Sequence, residues 1–129
     1  MAYKYCVRKK TDKSQGEEQV KYYAVPLSSG TIGTNELAEN IAGRCTLRPG
    51  DVHATIVELM YTIEQELHQG NKVCLEGIGI FSLSASSEGF DKPEDCTPSK
   101  VKAKRICFLA DKKLKKNLKF VKFEKDRRG

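Results

Sequence analysis

Five cysteines and two histidines are the side chains of this 129-residue sequence best suited to hold a metal or attack a substrate. Their spacing favours neither. Cys6, Cys45, Cys74, Cys96 and Cys107 include no pair within four residues of each other, so the short spacing of a zinc knuckle or a dithiol redox centre is missing. His53 and His68 stand fifteen residues apart on one expected helix. A nucleophile–base pair or a metal set would need long-range coincidence. No catalysis, metal, organic cofactor or small-molecule substrate is therefore expected. The odd cysteine count, and the lack of an apolar leader after Met1-Ala2-Tyr3-Lys4, read as reduced thiols in a soluble, cytoplasmic chain. Cys74 and Cys107 lie in apolar strands and read as small core residues. No run approaches the roughly 20 apolar residues that cross a membrane.

The side chains that do form a pattern are cations. From Lys100 to Gly129 there are thirteen basic residues against Asp111, Glu124 and Asp126, a net of +10. The first 99 residues then sum to −4 within the total of +6. Such a segment attracts a polyanion through phosphate contact and counterion release. A lysine-rich solvated face is the alternative that charge alone leaves open.

These cations need elements to position them. Residues 3–10 and 19–27, rich in Tyr and Val, flank the polar turn 12–16 and predict a β-hairpin. Residues 28–33 read as a linker. Thr34 is a suitable N-cap for a short helix to about Arg44, with Leu37, Ala38 and Ile41 on one face. Pro49 and Gly70 bracket a second helix, in which Val52, Ile56, Leu59, Met60, Ile63 and Leu67 form one apolar stripe. That stripe is long for a small chain to cover alone, and a second copy is its expected partner. Strands at 72–76 and 80–84 flank Gly77-Ile78-Gly79. Residues 85–99 read as a polar loop, and a strand resumes over 101–109. Lys102, Lys104, Ile106 and Phe108 alternate onto one face of it. A short basic helix follows at 111–118. Residues 120–123 predict a last strand, beside the N-terminal one.

From Thr34 onward this order resembles the HU/IHF family of bacterial histone-like proteins. Gly70-Asn71-Lys72-Val73-Cys74-Leu75-Glu76-Gly77-Ile78-Gly79-Ile80-Phe81 is similar to its G-x-x-V-x-L-x-G-F-G-x-F signature, with Ile78 in place of Phe. Glu36-Leu37 and Ile41-Ala42 match its first helix. Lys104, Phe108, Lys112, Leu114 and Lys115 fall on its K-x-x-x-F-x-x-x-K-x-L-K pattern, with Asp111 replacing a glycine. The leading residues look like those HU-domain variants that carry an N-terminal extension. The resemblance implies an α+β fold: a helical base, an antiparallel sheet with a protruding β-arm, and an intertwined homodimer. It divides the chain into an extension and linker at 1–33 and an HU-like DNA-binding domain at 34–129.

The activity implied is architectural binding of double-stranded DNA in the nucleoid, with weak or no sequence preference and with bending as its further expectation. Lys102, Lys104, Arg105, Lys112, Lys115, Lys116 and Lys119 are the candidate phosphate contacts, because lysine is a mobile point charge suited to phosphate and poor at reading bases. Phe90 and Pro93 are the candidate wedges at the arm tip, where members of this family insert an apolar side chain between base steps. The tip departs from the family, since Glu88, Asp91, Glu94 and Asp95 outweigh Lys92 and would repel phosphate. That departure motivates the alternative function, an HU-fold dimer repurposed as a protein–protein assembly module.

Overall fold

The computed structural model describes residues 2–12, 16 and 18–127. Its elements, in order, are strands β1 (Tyr3–Asp12) and β2 (Gln19–Leu27), helices α1 (Thr34–Ala42) and α2 (Pro49–His68), strands β3 (Val73–Leu75), β4 (Gly79–Ser86) and β5 (Lys102–Ala110), helix α3 (Lys112–Lys116) and strand β6 (Phe123–Lys125). They form two compact units: Met1–Gly33 with Asn117–Gly129, and Thr34–Lys116. Residues Asn117–Gly129 group with the N-terminal hairpin and not with Thr34–Lys116.

The first unit is a three-stranded sheet of order β2-β1-β6. β1 and β2 pair antiparallel from Lys4↔Leu27 to Asp12↔Gln19, as the two Tyr/Val-rich runs predict. Of the turn expected between them, residues 13–15 lie outside those described. β6 lies parallel to β1 on its other side, Tyr3↔Phe123 to Tyr5↔Lys125. The ladder continues past both ends of the strand, through the Tyr3 N–H donating to the Lys122 carbonyl at 2.7 Å and the Asp126 N–H donating to that of Tyr5 at 2.8 Å. Tyr3 and Phe123 bring their rings to 5.8 Å, and Lys4 pairs with Glu124 at 3.1 Å. The strand starts three residues later than the sequence implies. A 3-10 turn, Asn117–Phe120, follows α3 directly, and the Val121 N–H closes it on the Leu118 carbonyl.

In the second unit α1 packs on α2, and α2 packs on the sheet β3-β4-β5. Helix α2 ends on a Schellman motif. Gly70 takes φ +94, its N–H meets the Leu67 carbonyl, and the Asn71 N–H reaches back to Glu66. The apolar stripe divides by depth: Val52 and Leu67 are buried, Ile56 and Ile63 half-buried, Leu59 and Met60 exposed. Alternation along the sheet places Phe81, Leu83, Ile106 and Phe108 on one face and Cys74, Ile80, Cys107 and Leu109 on the other. Phe81 and Ile106 line a groove of about 550 Å³ with α2 residues Ile56, Leu59, Met60 and Ile63, so the first face is the one turned to the helix. Cys74 consequently lies on the outer face and is exposed, and Cys107 is half-buried; neither is a core residue.

Two glycines hold the β3–β4 turn. Gly77 has φ +81, a conformation L side chains rarely adopt. Gly79 is needed for space: a Cβ there would press on the Leu109 carbonyl oxygen and stand 2.6 Å from two Phe108 ring carbons. The Phe108 ring fills that space and meets Phe81 at 4.9 Å.

Candidate nucleic-acid interface

The candidate cations of the second unit sit at the two ends of β5. At the start of α3, the Asp111 N–H donates to the Ile78 carbonyl at 2.9 Å, and the Asp111 carboxylate accepts the Lys113 N–H at 2.8 Å. Asp111 is thus the N-cap that starts the helix beside the glycine turn. Its place in the sequence reads only as a departure from the family's glycine. Lys112, Lys113, Lys115 and Lys116 follow within this five-residue helix, all exposed. Lys113 is absent from the sequence-derived candidates, yet its stem lies over the turn, 3.8 Å from where a Gly77 Cβ would be.

Lys102, Lys104 and Arg105 occupy the other end. With about 3.3 Å per residue, the five steps from Arg105 to the end of β5 at Ala110 separate the two groups by roughly 17 Å. The candidate cations therefore form two clusters along one strand. The expected sharing of a face by Lys102, Lys104, Ile106 and Phe108 does not hold. Register passes from Ser84↔Arg105 to Ala85↔Ala103, which leaves Lys104 as the extra residue of a β-bulge. The skipped residue reverses the alternation, so Lys102 shares the outer face with Arg105 while Ile106 and Phe108 face α2. Lys119 belongs to the other unit, in the 3-10 turn after α3, with its Nζ 5.2 Å from the Phe120 ring centroid.

All seven sequence-derived cations are exposed, and none has an ion-pair partner among the described residues. At β5 and α3 their charge is thus not neutralised by a direct ion pair among the described residues.

The segment joining β4 to β5 contains two 3-10 turns, Pro93–Asp95 and Pro98–Lys100, each begun by a proline. Phe90 is half-buried beneath Lys100, whose Nζ lies 4.9 Å from the ring centroid and donates to the Asp95 carbonyl. Pro93 is exposed. Among the described residues no group of three or more His, Cys, Asp or Glu is placed to hold a metal, and no helix is long and apolar enough to cross a membrane.

The chain matches a known family over nearly all of its length. Residues 1–125 fit the model of HU-HIG, an HU domain fused to wHTH, Ig, or glycine-rich motif. The chain belongs to the HU-HIG family. No curated protein matches it. Among solved structures, the HU-HIG chain is similar to Anabaena HU in cocrystal with DNA, with TM-score 0.51 and 18% identity over 67% of this chain and 97% of that one. It is also similar to a protein from Bacteroides vulgatus ATCC 8482 provisionally described as DNA-binding, with TM-score 0.61 and 12% identity over 99% of this chain and 50% of that one. The HU-HIG chain thus spans half the length of the second protein. At these identities the likeness is one of fold.

Proposed function

We propose that this HU-HIG chain binds double-stranded DNA as a homodimer, holds it through its phosphates with little sequence preference, and acts as an architectural protein of the nucleoid. One observation carries the reading. An HU-like unit presents Lys102, Lys104, Arg105, Lys112, Lys115 and Lys116 exposed, and without an ion-pair partner among the described residues, at the two ends of one strand. Lys113 extends the α3 cluster, and Lys119, in the other unit, is a separate candidate phosphate contact. Point charges of this kind hold backbone without reading base edges, so sequence preference arises only from how easily the DNA deforms.

The homodimer is supported by apolar surface that the second unit leaves uncovered. Leu59 and Met60 of α2, and Leu83, Ile106 and Phe108 on the helix-facing side of the sheet, are all exposed, Ile106 at 61%. A second copy would cover both. DNA bending would use the β4–β5 tip as the arm. Pro93 is then the better wedge, because Lys100 covers the Phe90 ring. Glu88, Asp91, Glu94 and Asp95 are exposed and outside any ion pair among the described residues, and this favours the second reading, an acidic tip that docks another protein.

A fluorescence-anisotropy titration of random linear duplex between 50 and 200 mM salt tests the proposal. Five to eight phosphates neutralised per dimer give a log–log slope of about −4 to −7, a loss of roughly 10²- to 10⁴-fold across that range. Lys112→Gln with Lys115→Gln removes up to four contacts per dimer and flattens the slope by as much as about 3.6. A flat response, or no binding at the low-salt end, refutes the DNA reading. Retained function of this double variant in cells, with loss on deletion of residues 86–98, would select the assembly module.

A further inference from the structure

The N-terminal hairpin holds a second cluster of cations, placed where stability alone would not put them. Alternation along β1 and β2 sets Arg8 and Lys10 on one face of the sheet together with Lys21 and Tyr23. The register makes Lys10 and Lys21 direct cross-strand partners, and Arg8 and Tyr23 the next pair on the same face. Side chains directly opposed in an antiparallel pair have Cβ atoms about 4.5–5.5 Å apart, and like charges there repel. Arg8, Lys10 and Lys21 are exposed, and among the described residues none of their side chains has an ion-pair or hydrogen-bond partner. The same sheet shows what a stabilised cation looks like, since Lys4 stands opposite Glu124 and is paired with it at 3.1 Å. The nearest acids along the chain, Asp12 and Glu18, lie at the turn end of the strands, and Asp12 pairs across with Gln19.

We infer that this face of the β1–β2 hairpin is a second DNA contact, in which Arg8, Lys10 and Lys21 hold backbone phosphates and Tyr23 lays its exposed ring beside them. The inference rests on the DNA-binding reading above and places a contact in the unit that the β5 and α3 clusters do not occupy. An anion between Lys10 and Lys21 turns their repulsion into joint attraction. The open sheet surface favours a polyanion over a small ion: a free phosphate here would remain hydrated and screened, whereas a nucleic acid releases its condensed counterions to each cation. Arg8 adds a guanidinium able to grip one phosphate with two hydrogen bonds. Tyr23, 47% exposed, offers a flat ring for sugar or base contact at the edge of the cluster.

The test uses the full chain and the same linear duplex. The variant Arg8→Gln, Lys10→Gln, Lys21→Gln should flatten the log–log salt slope by about 0.9 for each phosphate lost, up to about 2.7 per chain. Its affinity at the lower salt concentrations should fall at least tenfold. Lys21→Glu alone should raise the melting temperature, because it converts a repulsive cross-strand pair into an attractive one, while lowering DNA affinity. Opposite movement of stability and affinity is an outcome a purely structural role does not produce. Inorganic phosphate at matched ionic strength should leave DNA affinity unchanged; competition by it would reassign the face to free anions and overturn the inference. A triple variant with wild-type slope and affinity also overturns it, and if Lys112→Gln with Lys115→Gln still weakens binding, the function proposed for the second unit survives. Absence of DNA binding by the unaltered protein removes both.

Discussion

Replacing Gly79 with alanine places one methyl group where the second unit has no room. The new Cβ would collide with the Leu109 carbonyl oxygen and lie 2.6 Å from Cε1 and Cζ of Phe108. The carbonyl belongs to β5 itself, so relief requires either moving the strand or swinging the Phe108 ring away from Phe81, which it now meets at 4.9 Å. Overpacking of this kind costs about 1–3 kcal/mol, and loss of the ring pair adds about 0.5–1.5 kcal/mol. A total of about 2–4 kcal/mol corresponds to a fall in melting temperature of at least about 8 °C for a unit of this size. Two substitutions bracket it. Gly77→Ala meets only Lys113 Cδ at 3.8 Å and should lose about 1–2 kcal/mol through its φ of +81 alone. Gly89→Ala has nothing within 4 Å and should stay within about 0.5 kcal/mol. Thermal melts followed by circular dichroism, all at one protein concentration, give the order. If Gly79→Ala melts with Gly89→Ala, the account of the turn is wrong.

Two further predictions follow from the same unit. Asp111→Ala removes the acceptor for the Lys113 N–H and should cost about 1 kcal/mol, read as lost helicity and a lower denaturation midpoint, while Asp111→Asn retains most of it. Leu59→Glu with Ile106→Glu puts charge on the exposed apolar groove face; light scattering should report the 14.5 kDa protomer in place of a 29 kDa dimer, and an unchanged mass would place the dimer interface elsewhere.

Features set by local chemistry were legible in the sequence. The α2 stripe with Pro49 and Gly70 at its ends, the Gly77–Gly79 turn and the paired Tyr/Val-rich strands each depend on a few neighbouring residues. Features set by register were not. Nothing about Lys104 marks it as a bulge residue; only its position opposite the Ser84–Ala85 step does, and that one residue moves Lys102 to the other face. Cys74 has the composition of a core residue, but the side of the sheet that α2 covers is decided by tertiary packing. The basic segment after residue 99 is continuous in sequence, yet the parallel pairing of β6 with β1 assigns its last part to a different unit. Asp111 reads in the sequence as a departure from the family's glycine, whereas in the fold its carboxylate caps α3 and its N–H ties the start of the helix to the Ile78 carbonyl.

The pairing of β6 with β1 also imposes an order on biosynthesis. Tyr3 and its partner Phe123 are separated by nearly the whole chain, and every residue of the second unit is translated between them. At 5–20 residues per second, a ribosome needs from about 6 to 24 s to deliver the partner strand after the first one. Throughout that interval one edge of β1 has its amides and carbonyls open to any other nascent strand. The second unit is complete before its flanks can close, so a chain cut off between Lys116 and Phe123 would carry a finished core and an unfinished sheet.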